Sequence, residues 1–354
     1  MEEKRNKILV VCDSYKGCIT SREVNGAVAE GFRRVAAGKG QEADIVQIEM
    51  SDGGEGMLDV FLAAMGGVRV RCMAHDALMR SVEVEYGLVG DTAIVETAQA
   101  AGLARIEPEQ RNPMRTTTYG VGEMLMHAYR HGARRFVVGL GGSATSDCGI
   151  GMLRAMDDDW KQLRSDCSFT LASDVTSPLC GPEGAAHVFA PQKGADALMV
   201  EALDGRARRF ADACARHFGY DRSTMPGAGA AGGLGYAFMQ FFDASQQAGA
   251  DLLLDLVGFD TLLRKARLVI TGEGHSDRQT LMGKLPVRVL RRAQRADVPV
   301  WLFSGGIDNA SAMLAAGFSR VVAVTPQGMV LAEAMKGDVA RGNIMARVAE
   351  EYRL

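Results

Sequence analysis

Short apolar runs alternate with amphipathic stretches along much of the chain. Each apolar run ends in a polar, often Gly-rich turn, as buried strands of an α/β sheet do. The predicted strands are Lys7–Cys12, Asp44–Met50, Arg134–Leu140, Arg267–Thr271, Pro299–Ser304 and Arg320–Thr325. The first helix is predicted to begin after Thr20, because Glu23 completes a capping box. This alternation predicts an open, mostly parallel, Rossmann-like sheet with crossover helices.

The middle of the chain has a different period. Residues 68–102 alternate apolar and polar positions with period two, as meandering strands do, and residues 168–190 are again strand-like, with Pro and Gly breaks. We therefore predict a second, mixed α/β domain inserted in the first. Residues 1–67 with 260–354 form the Rossmann-like domain and 68–259 the inserted one, and 115–156 could belong to either.

Composition limits the class of protein. The 354 residues are 47% apolar and 23% charged, with a net charge of −3, which is typical of a globular protein. No dense Lys/Arg cluster indicates nucleic acid, and no apolar stretch indicates a membrane span. The seven cysteines are scattered and form no C-x-x-C pair, which favours thiols in a reducing cytoplasm. The sequence leaves open a monomer or a homodimer.

A Gly-rich turn follows the predicted strand that ends at Leu140. Gly141 and Gly142 allow a close backbone approach to an anion, and Ser143, Thr145 and Asp147 add hydroxyls and a carboxylate suited to phosphate or Mg²⁺. The alternative is a tight strand-to-helix turn with capping side chains.

A second Gly-rich segment, residues 227–232, has the literal form G-x-G-x-x-G. Residues 221–226 precede it and do not form a strand, so a dinucleotide fingerprint is not supported. A glycine bend that opens a helix and a loop over a ligand, centred on Gly229, both fit. A P-loop is absent, because position 278, where its first glycine would stand, is Arg.

Acids and lysines recur in the turns at or near the strand ends, where an open sheet binds its ligands. Phosphoryl transfer needs carboxylates for Mg²⁺ and for the acceptor proton, and cations for the transferred group. The acids are Asp13, Asp52, Glu55, Asp147, Asp174, Glu273 and Asp277, and the cations are Lys16, Lys193 and Lys284. Any single one of these acids could instead serve as a turn former.

Eight ordered motifs resemble the bacterial two-domain glycerate kinase family. They are DSYKG (13–17), SDGGEG (51–56), TTTYGVGE (116–123), GGSATSD (141–147), DVTSPLCGP (174–182), PQKGA (191–195), PGAGAAGGLG (226–235) and TGEGHSDRQTLMGK (271–284). The resemblance implies ATP and Mg²⁺ as cofactors, D-glycerate as substrate and, in most bacterial members, 2-phosphoglycerate as product.

The site residues follow from these motifs. We assign the general base to Asp174 and catalytic cations to Lys16 and Lys193, and place Mg²⁺ on Asp52 and Glu55. Substrate or nucleotide binding is assigned to Asp52, Glu55, Gly141, Gly142, Ser143, Thr145, Asp147, Gly229, Asp277 and Lys284. We expect Lys16, Asp52, Ser143, Asp174, Lys193 and Asp277 to line one cleft between the domains.

The chain departs from the family in two places. Fewer residues than usual separate Met156 from Asp174, and His275 stands where the family has Arg, with Arg278 as a possible substitute. If the shortening trims only a peripheral hairpin, the strand 168–172 should still pair in the second domain. The alternatives are a non-catalytic member that binds an anion, a kinase of another small hydroxy acid, and a nicotinamide-dependent oxidoreductase.

Overall fold

The computed structural model describes residues 6–50 and 56–352. The chain divides into two compact units. Met1–Ser51 with Leu253–Leu354 forms the terminal unit, and Asp52–Leu252 forms the central unit. The two stretches of the terminal unit flank the central unit in the sequence.

The strands, in chain order, are β1 (Lys7–Cys12), β2 (Ile45–Gln47), β3 (Val68–His75), β4 (Ser81–Val89), β5 (Thr92–Glu96), β6 (Arg135–Gly139), β7 (Ser168–Ala172), β8 (Ser245–Gln247), β9 (Ala266–Gly272), β10 (His275–Ser276), β11 (Val300–Ser304), β12 (Gly306–Ile307) and β13 (Arg320–Ala323).

The α-helices are α1 (Ser21–Gly38), α2 (Met57–Met65), α3 (Ala98–Ala101), α4 (Tyr119–Arg130), α5 (Ile150–Met156), α6 (Trp160–Asp166), α7 (Ala185–Phe189), α8 (Ala197–Phe218), α9 (Ala230–Phe242), α10 (Gly249–Leu256), α11 (Phe259–Leu263), α12 (Arg278–Leu281), α13 (Leu285–Arg295), α14 (Ala310–Ala316), α15 (Leu331–Ala334) and α16 (Gly337–Glu351). Among the helices in the described ranges, none is long and apolar enough to cross a membrane.

A parallel five-stranded sheet forms the centre of the terminal unit. Its strand order is β13-β11-β9-β1-β2, and every pair runs parallel. These are five of the six strands that the apolar runs predict. Helices α1 and α16 pack together over its core, so closely that a Cβ at Gly31 would lie 2.8 Å from Cβ of Val348. The Rossmann-like sheet is therefore confirmed.

The predicted start of α1 is also confirmed. Oγ1 of Thr20 accepts from the backbone N–H of Glu23, and the Glu23 carboxylate accepts from the N–H of Thr20. One face of the helix, with Val24, Val28 and Phe32, is fully buried. The cap fixes where this face begins, since it satisfies N–H groups that have no partner within the helix.

The central unit contains a mixed six-stranded sheet. The strand order is β3-β4-β5-β6-β7-β8, antiparallel from β3 to β5 and parallel from β5 to β8. The period-two segment supplies β3, β4 and β5, as predicted. The sixth predicted strand, β6, joins this sheet. The predicted mixed α/β architecture is confirmed.

The segment 168–190 differs in part from its prediction. Only its first residues form a strand, β7, whereas 185–189 form helix α7. The turn Gly181–Gly184 reverses the chain, and Ala185 and Ala186 are buried at the start of the helix. Apolar content alone did not distinguish a short helix from a strand, because this segment is too short to show a period.

Strand β7 pairs with β6 on one side and β8 on the other, so the prediction that the shortened segment leaves it in place is confirmed. Helices α5 and α6 and a 3₁₀ turn, Asp157–Asp159, fill the space between Ile150 and the strand.

Candidate functional site

The Gly-rich turn after β6 is held by backbone hydrogen bonds on both sides. Its carbonyl at Gly142 accepts from the N–H of Leu103, and the N–H of Ala144 donates to the carbonyl of Ala101. Gly142 has φ +70°, a conformation that glycine adopts at low cost. Ser143 lies in an antiparallel bridge with Gly102. These hydrogen bonds fix the position of the turn between β6 and α5.

Asp147 ties the end of this turn to the start of α4. Its Oδ2 accepts from the N–H of Thr118 at 2.8 Å, from Oγ1 of Thr118 at 2.9 Å and from the N–H of Gly151 at 3.1 Å. Its Oδ1 accepts from the N–H of Gly149 at 3.1 Å. Because these donors occupy both carboxylate oxygens, Asp147 positions the turn, and direct phosphate or Mg²⁺ binding stays a prediction.

Lys193 is the buried cation of the central unit. The residue is only 2% exposed. Its Nζ donates a hydrogen bond to Oγ of Ser143 at 3.0 Å and another to the carbonyl of Thr145 at 2.7 Å. Burial lowers the pKa of Lys193 from 10.5 to about 7, while the Asp147 carboxylate acts in the opposite direction. The amine of Lys193, whose pKa is near neutrality, therefore contacts the Gly-rich turn.

Two hydroxyls beside this lysine have no partner among the described residues. Oγ1 of Thr145 and Oγ of Ser146 are buried without a hydrogen bond. Leaving a buried hydroxyl unpaired costs about 1–3 kcal/mol, so such groups usually have a ligand or water partner. The turn can therefore donate hydrogen bonds to an anion.

Asp174 follows the carboxyl end of β7 and is exposed. Nε2 of Gln246 donates to the carbonyls of Ser173 and Val175, at 2.9 and 2.8 Å, and so fixes the backbone on both sides of Asp174. A carboxylate on a fixed backbone at the end of a parallel strand is where an open sheet positions catalytic groups.

The segment 227–232 is a packed bend. A Cβ at Gly229 would lie 2.4 Å from the carbonyl oxygen of Pro178, and one at Gly232 would lie 1.9 Å from that of Thr145. These contacts account for the glycines, and the bend opens α9 without a preceding strand. The fingerprint required for a dinucleotide is absent here, and ligand binding by Gly229 stays a prediction.

In the terminal unit, the turns after β1, β9 and β11 meet at one edge of the sheet. The N–H of Asp13 donates to the carbonyl of Gly272, and the N–H of Gly305 donates to that of Glu273. The hydroxyl of Tyr15 donates to the carbonyl of Phe303. Lys16 follows Tyr15, and its side chain is exposed at this edge.

Glu273 is the centre of a polar cluster at the same edge. Its Oε1 accepts from Oγ of Ser276 at 3.0 Å and from Oγ1 of Thr280 at 2.5 Å. Its Oε2 lies 3.4 Å from Nζ of Lys284, which is also 3.8 Å from Oδ1 of Asp277. The cluster holds the amine of Lys284 between two carboxylates.

Asp277 caps the short helix α12, accepting from the N–H groups of Gln279 and Thr280. Burial acts to raise the pKa of Asp277, but these donors and the Lys284 ammonium outweigh it and keep the pKa below its ordinary value. Its neighbour His275 contacts Asp308, with Nε2 2.7 Å from Oδ1. Arg278 is exposed on the other side of Asp277.

The predicted Mg²⁺ ligands Asp52 and Glu55 lie outside the described residues. Within residues 6–50 and 56–352 no group of three His, Cys, Asp or Glu side chains is arranged to hold a metal. The carboxylate oxygens of Asp147 and Glu273 already contact donors of the protein, and Mg²⁺ binding by Asp147 stays a prediction. Mg²⁺ in kinases often uses one or two carboxylates with the substrate phosphates, which needs no such group.

Thr118, Ser276 and Thr280 were not predicted as site residues, although each fixes a carboxylate of the site. All three lie in motifs that were quoted, TTTYGVGE and TGEGHSDRQTLMGK. Only the three-dimensional structure shows that they donate hydrogen bonds to Asp147 and Glu273. The structure thus places Ser143, Thr145, Asp147 and Lys193 together in one unit, and Asp277 and Lys284 together in the other.

Comparison with known proteins agrees with this architecture. The model of the glycerate kinase family matches residues 8–162 and 156–352, two stretches that meet in the shortened segment. The chain is 37% identical to a glycerate kinase of Halalkalibacterium halodurans, covering 94% of each chain. It is 33% identical to the glycerate 2-kinase of Escherichia coli K12, covering 94% of this chain and 93% of the relative.

A solved structure agrees as well. A candidate glycerate kinase 2 of Salmonella typhimurium LT2 superimposes with a TM-score of 0.82 at 33% identity, covering 98% of this chain and 97% of the other. Sequence and fold together place the chain among the small-molecule kinases. The chain belongs to the glycerate kinase family, and the resemblance drawn from its motifs is confirmed.

Proposed function

We propose that this protein transfers the γ-phosphoryl group of ATP to D-glycerate and forms 2-phosphoglycerate. The observation that carries the proposal is Lys193, a buried amine held by Ser143 and Thr145 on a Gly-rich turn. Full-length similarity to glycerate kinases supports the choice of substrate.

Phosphoryl transfer depends mainly on positioning and on stabilisation of charge on the transferred group. An ammonium in a nearly dry site interacts strongly with phosphate oxygens, because little water screens it. A bound anion would also raise the pKa of Lys193 from about 7 and keep the amine charged during the reaction. The buried hydroxyl of Thr145 is a further donor on the same turn.

Asp174 is our proposed general base. The glycerate hydroxyl loses a proton as the new P–O bond forms, and a carboxylate on a fixed backbone can accept it. The residue is exposed to solvent, from which a substrate arrives. Lys16 is the proposed cation of the terminal unit, while Asp277 and Lys284 remain proposed binding residues.

Mg²⁺ would neutralise charge on the nucleotide phosphates when bound. Among the described carboxylates, those of Asp147 and Glu273 already contact donors of the protein. Asp52 and Glu55 remain the proposed ligands, and no step of the reaction is derived from them.

The test is ATP consumption by the purified protein, with D-glycerate, L-glycerate and hydroxypyruvate offered separately. We expect turnover with D-glycerate, and ³¹P NMR of the product should show 2-phosphoglycerate. A Lys193→Met preparation made in the same way serves as the control for contaminating host kinases.

If only another hydroxy acid is turned over, that acid replaces D-glycerate as the proposed substrate. ATP-independent binding of glycerate without turnover would favour a non-catalytic, anion-binding member, a reading that the shortened segment and His275 motivate.

A further inference from the structure

A pocket of about 220 Å³ opens in the central unit beside the Gly-rich turn. Its walls come from the residues before α4, from the turn Ser146–Cys148 and from helices α5 and α8. Ligand pockets for drug-sized molecules are larger, about 300–1,000 Å³, so this volume suits a small ligand. Pro113, Met114 and Ile150 make part of the wall apolar.

Two arginines face this pocket from different helices. Arg154 lies on α5 and Arg206 on α8, and both line the pocket. Neither has a hydrogen bond or ion pair to any residue in the described part of the chain. Like charges at one pocket repel each other, and an anion between them would remove this repulsion.

Ser146 adds a hydroxyl to the same wall. The residue is 9% exposed and its Oγ is buried without a partner in the described chain. The two threonines of the wall are already used, since Thr116 donates to the carbonyl of Ala144 and Thr117 to Asp147. Ser146 is thus the wall hydroxyl that lacks a partner.

Asp147 is the acid in the pocket wall and would oppose an anion. Its two oxygens accept hydrogen bonds from Thr118, Gly149 and Gly151, which offset its charge. Cys148 also lines the pocket, and burial raises the pKa of its thiol, which is therefore neutral. The positive charge of the two arginines exceeds the negative charge of Asp147, so the pocket lining favours an anionic ligand.

We propose that this pocket binds a phosphate group, held by the guanidinium groups of Arg154 and Arg206 and by Oγ of Ser146. Guanidinium presents paired donors that match the oxygens of a phosphate, and such charge-assisted bonds are about twice as strong as neutral ones. The phosphate could be inorganic or part of a small ester. This proposal does not depend on the proposed function, because binding is measured without turnover.

The experiment is a calorimetric titration of the whole protein at 0.15 M salt, in the absence of ATP and glycerate. Inorganic phosphate and 2-phosphoglycerate are titrated separately, to distinguish the free anion from the ester. We expect binding of at least one of them with a Kd of about 1 mM or lower, of the order that two charge-assisted contacts provide.

Arg154→Met combined with Arg206→Met should weaken this binding by at least about 10-fold, and Ser146→Ala by a few-fold. Both arginines are exposed, so the double variant should fold. Arg209→Met is the matched control, since Arg209 is exposed on the same helix α8 but does not line the pocket. It should bind like the parent.

Three results would overturn the proposal. Neither anion binds the parent protein at 10 times the expected Kd, roughly 10 mM. The double variant keeps the parent affinity, which would place the anion elsewhere, for example on Lys193. The Arg209 variant loses as much affinity as the double variant, which would indicate non-specific attraction to basic surface.

Discussion

The two units surround their key lysines with different groups. In the terminal unit, Lys284 is partly exposed and lies between the carboxylates of Glu273 and Asp277. In the central unit, Lys193 is fully buried and contacts a hydroxyl and a carbonyl, with no carboxylate among its hydrogen-bond acceptors in the described chain. Desolvation opposes the charged form of Lys193, whereas Lys284 has two carboxylates as partners.

The difference separates the roles that the two lysines can take. A paired, partly exposed amine adds little to stability. A buried amine with a pKa near 7 changes its charge when an anion arrives, so it can respond to substrate. The central unit therefore contains the pH-sensitive part of the described site.

The largest effect is expected for Lys193→Met, which removes the buried cation but keeps the length of the side chain. We expect kcat to fall by about 10³-fold or more, because charge on the transferred group loses a partner in a dry site. In the parent protein, kcat/KM should fall as pH rises above about 7, where the free amine loses its proton. Steady-state kinetics from pH 6 to 9 measure the loss of kcat in the variant and the pH dependence of kcat/KM in the parent. A kcat/KM that does not change with pH would contradict a catalytic role for the Lys193 ammonium.

Asp174→Asn is expected to lower kcat by ~10²–10⁴-fold with little change in ATP affinity, because it removes the proposed proton acceptor alone. Asp212→Asn, an exposed acid on α8 of the same unit, is the control and should behave like the parent. If the Asp174 variant turns over within a few-fold of the parent, the base is another residue, and Asp52 or Asp277 is then the next candidate.

Burial of Lys193 also predicts a pH dependence of stability. The folded pKa is about 7 and the ordinary value is 10.5, so between these values the unfolded chain binds more protons and stability rises with pH. The free energy of unfolding, relative to Lys193→Met, should increase by roughly 5 kcal/mol at most across this window, and by about half of that between pH 6 and 9. Urea unfolding at pH 6, 7, 8 and 9 measures it, and a constant difference would show that the amine is not desolvated.

Lys284→Met should affect the terminal unit less. We expect the KM for ATP to rise about 10-fold, the order of one charge-assisted hydrogen bond, with a small change in Tm. Lys161→Met, which removes an exposed pair with Asp158, is the control. An unchanged KM for ATP in the Lys284 variant would contradict its proposed role in binding.

The smallest effect is expected at the start of α1. Thr20→Ala should lower the free energy of unfolding by about 1 kcal/mol without changing activity, because it removes one capping hydrogen bond. Thr20→Ser keeps the oxygen and should restore most of the stability. A loss of activity in the folded Ala variant would show that the cap has a further role.

Much of the framework could be predicted from local patterns. The run Lys7–Cys12 is a strand with the predicted bounds, and the period-two segment after Val68 forms three strands of a mixed sheet. Such patterns are readable because each strand buries its side chains in a repeat of two, or on both faces of a parallel sheet. Residues 185–189 were misjudged, because five residues are too few to show a helical repeat.

The site was predictable as a set of motifs but only partly as a set of contacts. The Gly-rich turn and Lys193 were both singled out, yet their hydrogen bonds join positions 50 and 48 residues apart. The pairing of Asp147 with Thr118 was not predicted, since 29 residues separate them. Convergence of Lys16, Asp52, Ser143, Asp174, Lys193 and Asp277 in one cleft stays a prediction, as do the domain boundaries.

The sequence by itself determined the strands of the terminal sheet, the cap of α1 and the family, since each depends on residues that are neighbours in the chain or on ordered motifs. Tertiary structure alone decided that Lys193 is buried, that Asp147 is taken up by protein donors and that Arg154 and Arg206 line one pocket. The physical reason is that burial and pKa depend on what packs around a group, and packing joins segments far apart in the chain.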